Sequence, residues 1–145
     1  MTYAFLKCYV DGGNLGRNPS PRGVYWSVVI EAMPVVTIRK QSKEYHTNSD
    51  AEWLALREVL AWAVATKVDQ PMVIFSDSQF LVKQFNDVHR VHIERHIRFY
   101  FECKRLVQQL RWVAVQMPKR PSTKPANWPR VRRWPEDWRP RDVLV

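Results

Sequence analysis

The sequence has few cysteines, few glycines and no long apolar run. Its 145 residues include two cysteines, Cys8 and Cys103, and neither belongs to a cluster with the spacing of a structural zinc site. Two thiols in separate segments are more typical of free, buried cysteines in a reducing compartment than of a disulfide. No apolar stretch approaches the roughly 20 residues that cross a bilayer, and the N-terminus lacks a signal-peptide pattern. We therefore expect a cytoplasmic protein with no membrane association.

Basic residues exceed acidic residues, and the excess is uneven along the chain. The formal net charge is +9. Residues 1–117 carry 15 Lys and Arg against 11 Asp and Glu, whereas residues 118–145 carry 8 against 3. Such an excess without a membrane signal indicates a polyanionic partner, and nucleic acid is the leading candidate. A solubilising surface charge is the alternative, and charge alone does not separate DNA from RNA.

The first half of the sequence has the composition of β-strands. Apolar, β-branched and aromatic residues fill 4–10 and 24–32, and the segment 35–44 becomes polar toward its end, as an edge strand does. The connection at 12–23 is rich in glycine and proline. Three strands with short connections predict an antiparallel meander.

The second half alternates between helical and strand patterns. Apolar residues recur at intervals of three and four over 49–66, which predicts an amphipathic helix. Short apolar strands are predicted at 72–75 and 112–117, with helical patterns at 79–85 and 96–109 between them. The order β-β-β-α-β-α-α-β predicts an α/β fold, in which a five-stranded mixed sheet is flanked by helices.

The composition changes sharply at Pro118. The last 28 residues hold six of the ten prolines and three of the seven tryptophans, and so many prolines exclude a long helix. We therefore divide the chain into a domain at 1–118 and a basic, Pro/Trp-rich tail at 119–145. The tail could order itself on the core, or its arginines and tryptophans could contact phosphates and stack on bases. These arginines are Arg130, Arg132, Arg133, Arg139 and Arg141.

Three acidic residues lie where predicted strands end or a predicted helix begins. Asp11 follows the first strand, Glu52 lies near the start of the first helix, and Asp77 follows the strand at 72–75. Carboxylates at such positions let a rigid scaffold gather oxygen ligands around a hard cation such as Mg²⁺. The three positions predict a shared metal site of the kind found in metal-dependent nucleases.

Each of the three carboxylates also has a purely structural interpretation. The first could form only a turn with the glycine that follows it, and Asp77 could cap the next helix. Glu52 could complete a capping box with Ser49. However, Thr47 and Asp50 offer the same box, which would leave Glu52 available for a metal.

Taken together, the motifs resemble type 1 ribonuclease H. The matching segments are, in order, YVDGG at 9–13, GRNP at 16–19, TNSDAE at 47–52 and SDSQ at 76–79. Each segment alone is a weak signal, but all of them in order, within the right elements, make a strong one over residues 4 to about 117. The resemblance implies two-metal hydrolysis, with Asp11, Glu52 and Asp77 holding two Mg²⁺ ions about 4 Å apart. Mn²⁺ would be able to replace Mg²⁺.

The resemblance also implies the substrate and the residues that recognise it. The substrate would be the RNA strand of an RNA/DNA hybrid, cut to give 5′-phosphate and 3′-hydroxyl ends. The sequence does not give the oligomeric state, and a monomer is the default expectation. Asn18, Ser49 and Gln79 fall where the family reads the minor groove, in which the 2′-hydroxyl distinguishes RNA from DNA. Thr47 and Asn48 would contact the backbone. Each of these residues could equally be a turn or cap residue.

The C-terminus departs from the family pattern. The family has a fourth carboxylate shortly after the fifth strand, but no acidic residue follows that strand here until Glu136. Asn127 is nearest to the expected position, and Asp137 or Asp142 could reach back instead. A degraded site is the third option. A nucleic-acid-binding module and a DNA junction resolvase on the same scaffold are therefore the alternatives to an active ribonuclease H.

Two histidines four residues apart form a further candidate site. On a helix, His92 and His96 would share one face and could bind a metal. Because Arg90, Arg95 and Arg98 surround them in the sequence, we interpret the segment as a solvated basic face.

Overall fold

The computed structural model describes residues 5–118, and the elements in that range follow the predicted order. The elements are β1 Leu6–Asn14, β2 Val24–Ile30, β3 Val36–Ser42, α1 Asn48–Ala65, β4 Met72–Phe75, α2 Gln79–Phe85, α3 Glu94–Gln108 and β5 Val113–Gln116. The tail at 119–145, and with it the proposed domain boundary, lies outside the described residues.

The strands form one mixed sheet in the order β3-β2-β1-β4-β5. Strand β2 pairs antiparallel with both β1 and β3, whereas β4 lies parallel to β1 and β5 lies parallel to β4. Antiparallel neighbours need only short connections, while each parallel neighbour requires a crossover that carries helices. The predicted meander and the predicted five-stranded mixed sheet are both confirmed.

Strand β1 extends beyond its predicted end. Gly12, Gly13 and Asn14 continue the antiparallel ladder opposite the first three residues of β2. The prediction that the connection begins at residue 12 was therefore wrong by three residues, because pairing with an aromatic strand outweighs the weak strand preference of glycine. The connection ends at Gly23, whose φ of +99° and close approach to the Ser42 carbonyl oxygen both require glycine.

The main core lies between the sheet and α1. Alternate residues of β1 and β2 point toward this helix, and Trp53, Leu56 and Leu60 of α1 are fully buried against them. Both Cys8 and Cys103 are buried and free, as the sequence predicts. Burial raises the pKa of each thiol to about 12, so neither thiol is set up for reaction at neutral pH.

Membrane insertion through a helix finds no support in residues 5–118. None of the three helices combines the length and the apolar composition of a bilayer span.

The two histidines of the predicted solvated face lie in different environments. Helix α3 begins at Glu94, so His92 precedes the helix and is exposed, whereas His96 is fully buried. The ring of His96 packs near the rings of Trp53 and Phe99. The prediction of a solvated basic face was therefore wrong for His96. The packing of α3 on α1 decides which side is buried, and the charged neighbours in the sequence do not reveal it.

Candidate active site

Three elements bring Asp11, Glu52 and Asp77 together. Asp11 lies in β1, Glu52 lies near the start of α1, and Asp77 lies two residues beyond the end of β4. Because Tyr9 pairs with Phe75 in the parallel ladder, Asp11 and Asp77 occupy the same level of adjacent chains. One carboxylate oxygen from each of the three residues lies within 4.8 Å of the other two. Asp11 and Glu52 are half-buried and Asp77 is exposed, so the cluster opens to solvent beside Asp77.

Local capping is performed by other residues. Thr47 is the N-cap of α1, and its hydroxyl accepts the Asp50 amide at 3.1 Å, while the Asp50 carboxylate accepts the Thr47 amide at 3.2 Å. The capping box predicted for this pair is confirmed, and Glu52 takes no part in it. Ser78 caps α2, so the interpretation of Asp77 as a helix cap is wrong.

The two elements that carry Asp11 and Glu52 meet at a glycine. Gly12 follows Asp11 in β1 and packs on the backbone of Ala51, the residue before Glu52 in α1. Its own amide donates to Oδ1 of Asp11 at 2.9 Å. The contact therefore places one carboxylate on each side of a strand–helix junction that has no intervening side chain.

Glu52 lies in an environment that disfavours its negative charge. Burial raises its pKa well above the usual value, the negative charges of Asp11 and Asp77 raise it further, and the Gly12 amide offsets this only in part. Its Oε2 is enclosed and has no hydrogen-bond partner among residues 5–118. A bound divalent cation would satisfy this oxygen and neutralise the cluster. The donor set, three carboxylates with one orphaned oxygen, therefore fits a hard metal ion such as Mg²⁺.

The residues predicted to contact nucleic acid flank the carboxylates along the chain. One group surrounds the start of α1, where the Asn18 side-chain oxygen accepts the Asn48 amide at 3.2 Å. Gln79 is the first residue of α2 and follows Asp77 by two positions. Three of these side chains are exposed and two are half-buried. The exposed ones are Asn18, Asn48 and Gln79, and the half-buried ones are Thr47 and Ser49.

The loop that carries Asn18 is fixed to the loop before α1. The Ser20 amide donates to the His46 carbonyl oxygen at 2.7 Å, and Nδ1 of His46 lies 2.8 Å from the Ser20 carbonyl oxygen. The buried Ser20 hydroxyl donates to the Leu15 carbonyl oxygen. Sequence reasoning missed Ser20 and His46, since no local pattern connects residues 26 positions apart. These contacts hold Asn18 beside Asn48 without any contribution from nucleic acid.

Several predicted residues lie outside the described part of the chain. They are the tail arginines Arg130, Arg132, Arg133, Arg139 and Arg141 and the candidates for a fourth ligand, Asn127, Asp137 and Asp142. Between residues 5 and 118, the candidate metal-binding group consists of three carboxylates.

Comparison with protein-family models gives a match to RNase H over residues 4–128. The chain belongs to the RNase H family. The match spans most of the 145 residues, and it confirms the resemblance drawn from the four motifs. No individual curated protein sequence matches the chain significantly.

Solved structures of the RNase H family share the fold. The N-terminal RNase H domain of Rv2228c from Mycobacterium tuberculosis has a TM-score of 0.66 and 21% identity, covering 79% of this chain and 84% of that one. RNase H1 from the halophilic archaeon Halobacterium salinarum has a TM-score of 0.66 and 23% identity, with coverages of 82% and 89%. LC11-RNase H1, in complex with an RNA/DNA hybrid, has a TM-score of 0.64 and 20% identity, with coverages of 81% and 87%. Family membership and the gathered carboxylates together make this cluster the candidate active site.

Proposed function

We propose that this RNase H-family chain is a divalent-metal-dependent endonuclease that hydrolyses the RNA strand of RNA/DNA hybrids. The products would carry 5′-phosphate and 3′-hydroxyl ends. The observation that carries the proposal is the convergence of Asp11, Glu52 and Asp77, since one carboxylate oxygen from each lies within 4.8 Å of the other two. A carboxylate cluster that is open on one side can hold Mg²⁺ or Mn²⁺ where a phosphodiester can reach it. The complex of LC11-RNase H1 with a hybrid supports the choice of substrate, because the two proteins share a fold.

The three carboxylates would have different tasks in holding two Mg²⁺ ions. When bound, the ions would activate the attacking water and stabilise the charge on the leaving 3′-oxygen. Asp11 and Asp77 extend from adjacent parallel strands, so the register of the sheet fixes the spacing of their backbones. Glu52 approaches from the helix side, and its enclosed Oε2 is shielded from bulk water. The strand pair would thus set the distance between Asp11 and Asp77, and the helix would supply the buried carboxylate of Glu52.

Recognition of the hybrid would depend on polar groups around the start of α1 and α2. Because the Asn48 amide uses the side-chain oxygen of Asn18, the NH₂ group of Asn18 is the one that would contact a base or a ribose hydroxyl. Ser49 and Gln79 would complete contacts in the minor groove, where 2′-hydroxyl groups mark the RNA strand. Thr47 and Asn48 would contact the sugar-phosphate backbone.

The basic tail would add contacts with phosphate groups. Residues 118–145 carry 8 Lys and Arg against 3 Asp and Glu, and each phosphate contact by a cation strengthens binding by releasing counterions. Arg130, Arg132 and Arg133 are the proposed contributors. The chain would act on the hybrid as a monomer.

Hybrid cleavage by the full chain tests this proposal. The RNA strand of a labelled hybrid is followed with Mg²⁺, Mn²⁺ or EDTA, beside duplex DNA, duplex RNA and a four-way junction. Metal-dependent cutting of the hybrid's RNA strand alone is the expected result. Cutting of the junction alone would instead assign the chain to the resolvases.

A binding module with a weakened site is the second candidate function. The observation that favours it is the absence of an acidic residue between the end of β5 and Glu136 in the sequence. With three carboxylates, the site would hold metal less tightly but could still accept the hybrid. Hybrid binding in the presence of Mg²⁺ without cleavage, even at high enzyme concentration, would support this function.

A further inference from the structure

The carboxylate of Asp50 connects the first turn of α1 to α3. Its Oδ1 accepts hydrogen bonds from Nε of Arg95 and Nε2 of His96, each at 2.6 Å. Its Oδ2 faces the preceding loop and accepts the amides of Thr47 at 3.2 Å and His46 at 3.4 Å. Asp50 is only 1% exposed. A buried carboxylate is thus satisfied by four donors, two from its own capping loop and two from a helix that begins 44 residues later.

The contacts with α3 go beyond what a helix cap requires. The capping box is complete with Thr47 and Asp50 alone, and neither Arg95 nor His96 is needed for it. Taking a charged group out of water costs about as much free energy as the pairing returns, so such a pair adds little net stability. Its directional hydrogen bonds do fix the relative positions of the two helices. His96 is fully buried in this contact, whereas 44% of the Arg95 side chain is exposed.

Three consecutive residues of α1 face three different neighbours. Successive residues of an α-helix are rotated by about 100°, so Asp50 and Glu52 point to nearly opposite sides of the same turn. Asp50 binds α3, Ala51 rests on Gly12 of β1, and Glu52 joins the carboxylate cluster. A rotation or shift of this turn would therefore change the distance from Glu52 to the carboxylates on the strands.

We propose that Asp50, Arg95 and His96 form a clamp that sets the rotation of the first turn of α1 and thereby positions Glu52 for metal binding. The inference rests on the proposed metal site, but none of the three residues contacts the metal or the reacting phosphate in it. They are positioning residues. Without the α3 side of the clamp, the first turn would keep its capping box, its contact with Gly12 and the hydrogen bond from the Asn48 amide to Asn18. The hydrogen bonds from α3 to Asp50 would then no longer oppose its rotation, and Glu52 would sample positions outside the cluster.

Mn²⁺ binding by the full chain, measured by titration calorimetry, tests the clamp directly. Arg95→Gln removes the ionic contact with Asp50 and leaves the capping box intact. Arg98→Gln is the matched control, because Arg98 lies on the same helix and pairs with the exposed Glu94 at 3.3 Å. Both variants lose one positive charge, so a general charge effect cancels between them. Loss of an interaction that orients a ligand directly weakens metal binding about 10- to 100-fold. For this less direct clamp we expect Mn²⁺ binding to weaken about three- to tenfold in Arg95→Gln and to stay unchanged in Arg98→Gln.

Three further readouts separate positioning from general stability. Arg95→Gln should raise the Mg²⁺ concentration needed for half-maximal cleavage, whereas Arg98→Gln should not. Amide hydrogen exchange should accelerate in the first turn of α1 but not in β1. Arg95→Lys, which keeps a cationic donor for Asp50, should recover most of the Mn²⁺ affinity.

The outcomes distinguish the clamp from the proposed function. If the unmodified chain does not cleave the hybrid but Arg95→Gln weakens Mn²⁺ binding, the proposed function is wrong and the clamp stands. If the unmodified chain cleaves the hybrid, and folded Arg95→Gln binds Mn²⁺ as tightly as Arg98→Gln does, the clamp is overturned and the function stands.

Discussion

Gly12 of β1 and Ala51 of α1 touch so closely that no side chain fits at position 12. A Cβ added to Gly12 would lie 2.4 Å from the carbonyl carbon of Ala51 and 2.5 Å from its oxygen. Both are backbone atoms inside a helix, so they cannot yield without moving the helix. The glycine therefore sets how near the strand that carries Asp11 comes to the helix that carries Glu52.

Gly12→Ala is expected to separate these two carboxylates. The added methyl group must push the start of α1 away from β1, which would cost about 1–3 kcal/mol of stability, as overpacking of a core does. It should also weaken Mn²⁺ binding, because Glu52 moves away from the strands. Urea unfolding and Mn²⁺ calorimetry measure the two effects.

Gly23→Ala serves as the control for Gly12→Ala. Its Cβ would come within 2.2 Å of the Ser42 oxygen at a φ of +99°, so it should also destabilise the fold. Gly23 lies before β2 and not in the strand–helix junction, so Mn²⁺ affinity of the folded protein should not change. An equal loss of Mn²⁺ affinity in both variants would attribute the effect to instability and not to displacement of Glu52.

Asp11→Asn should abolish cleavage and leave hybrid binding largely intact. The substitution keeps the shape of the side chain but removes one negative charge from the site that would hold the metal. We expect the cleavage rate to fall at least about 100-fold. That is the upper end of the loss of activity caused by removing a residue that only orients a metal ligand. Single-turnover cleavage and gel-shift binding measure the two properties. Asp69→Asn, which removes an equal charge from the exposed loop before β4, should cleave normally. An unchanged rate in Asp11→Asn would remove Asp11 from the mechanism.

Glu52→Gln should stabilise the metal-free protein while preventing cleavage. Burial and the two neighbouring carboxylates raise the pKa of Glu52 well above its usual 4.5. The folded state therefore binds a proton that the unfolded chain releases, and metal-free stability declines as the pH rises above about 4.5. Glutamine removes this cost, and at pH 8 we expect the Tm to rise by about 2–4 °C, which corresponds to roughly 1 kcal/mol in a domain near this size.

Added metal should make the unmodified chain more thermally stable than Glu52→Gln, the reverse of the order expected without metal. Mg²⁺ or Mn²⁺ would stabilise the unmodified chain by binding to its folded state and would have little effect on Glu52→Gln. Thermal unfolding with EDTA and with Mn²⁺ measures both differences. A lower Tm for Glu52→Gln in EDTA would show that the Glu52 carboxylate does not destabilise the metal-free fold.

The sequence predicts the helices and strands that carry the site better than the tertiary contacts that fix them in place. The element order, the mixed sheet and the capping box of Thr47 and Asp50 all follow from local patterns of apolar periodicity and cap residues. The burial of His96 cannot be predicted from local patterns. Its partner Asp50 lies 46 residues earlier, and the arginines around His96 in the sequence suggest a solvated face. The anchoring of the Asn18 loop through Ser20 and His46 escapes prediction for the same reason. Local propensity predicts elements, whereas the contacts that fix a site join residues that are distant in the sequence.

His96 and Asp50 should make the protein less stable in acid. Burial lowers the pKa of His96 below its usual 6.5, against the opposing pull of Asp50. Burial alone would raise the pKa of Asp50, but hydrogen bonds from Arg95, His96 and Thr47 outweigh it and lower that pKa below its usual 3.8. Both folded pKa values thus lie below the unfolded ones, and in both cases the unfolded chain takes up protons first as the pH falls.

The two groups act over different pH ranges. Stability should decline below about pH 6.5 as unfolded histidine protonates, and again as the pH falls through the folded pKa of Asp50. His96→Gln should flatten the first decline. Urea unfolding between pH 7 and pH 4 measures it, and the Glu52→Gln background removes the opposite slope of Glu52. An equally steep decline in stability with and without His96→Gln, each in the Glu52→Gln background, would show that His96 is not the group responsible.

Asn127→Asp tests whether the site has room for a fourth carboxylate. Asn127 lies outside the described residues, and its position in the sequence after β5 is nearest to where the family has an acidic residue. An amide oxygen can bind Mg²⁺, but it is neutral and holds the ion less tightly than a carboxylate does. The substitution should therefore raise the cleavage rate or lower the Mg²⁺ concentration required. No change in either would mean that Asn127 does not lie at the metals. A loss of activity in Asp137→Asn or Asp142→Asn would then identify the acidic residue that reaches back to the site.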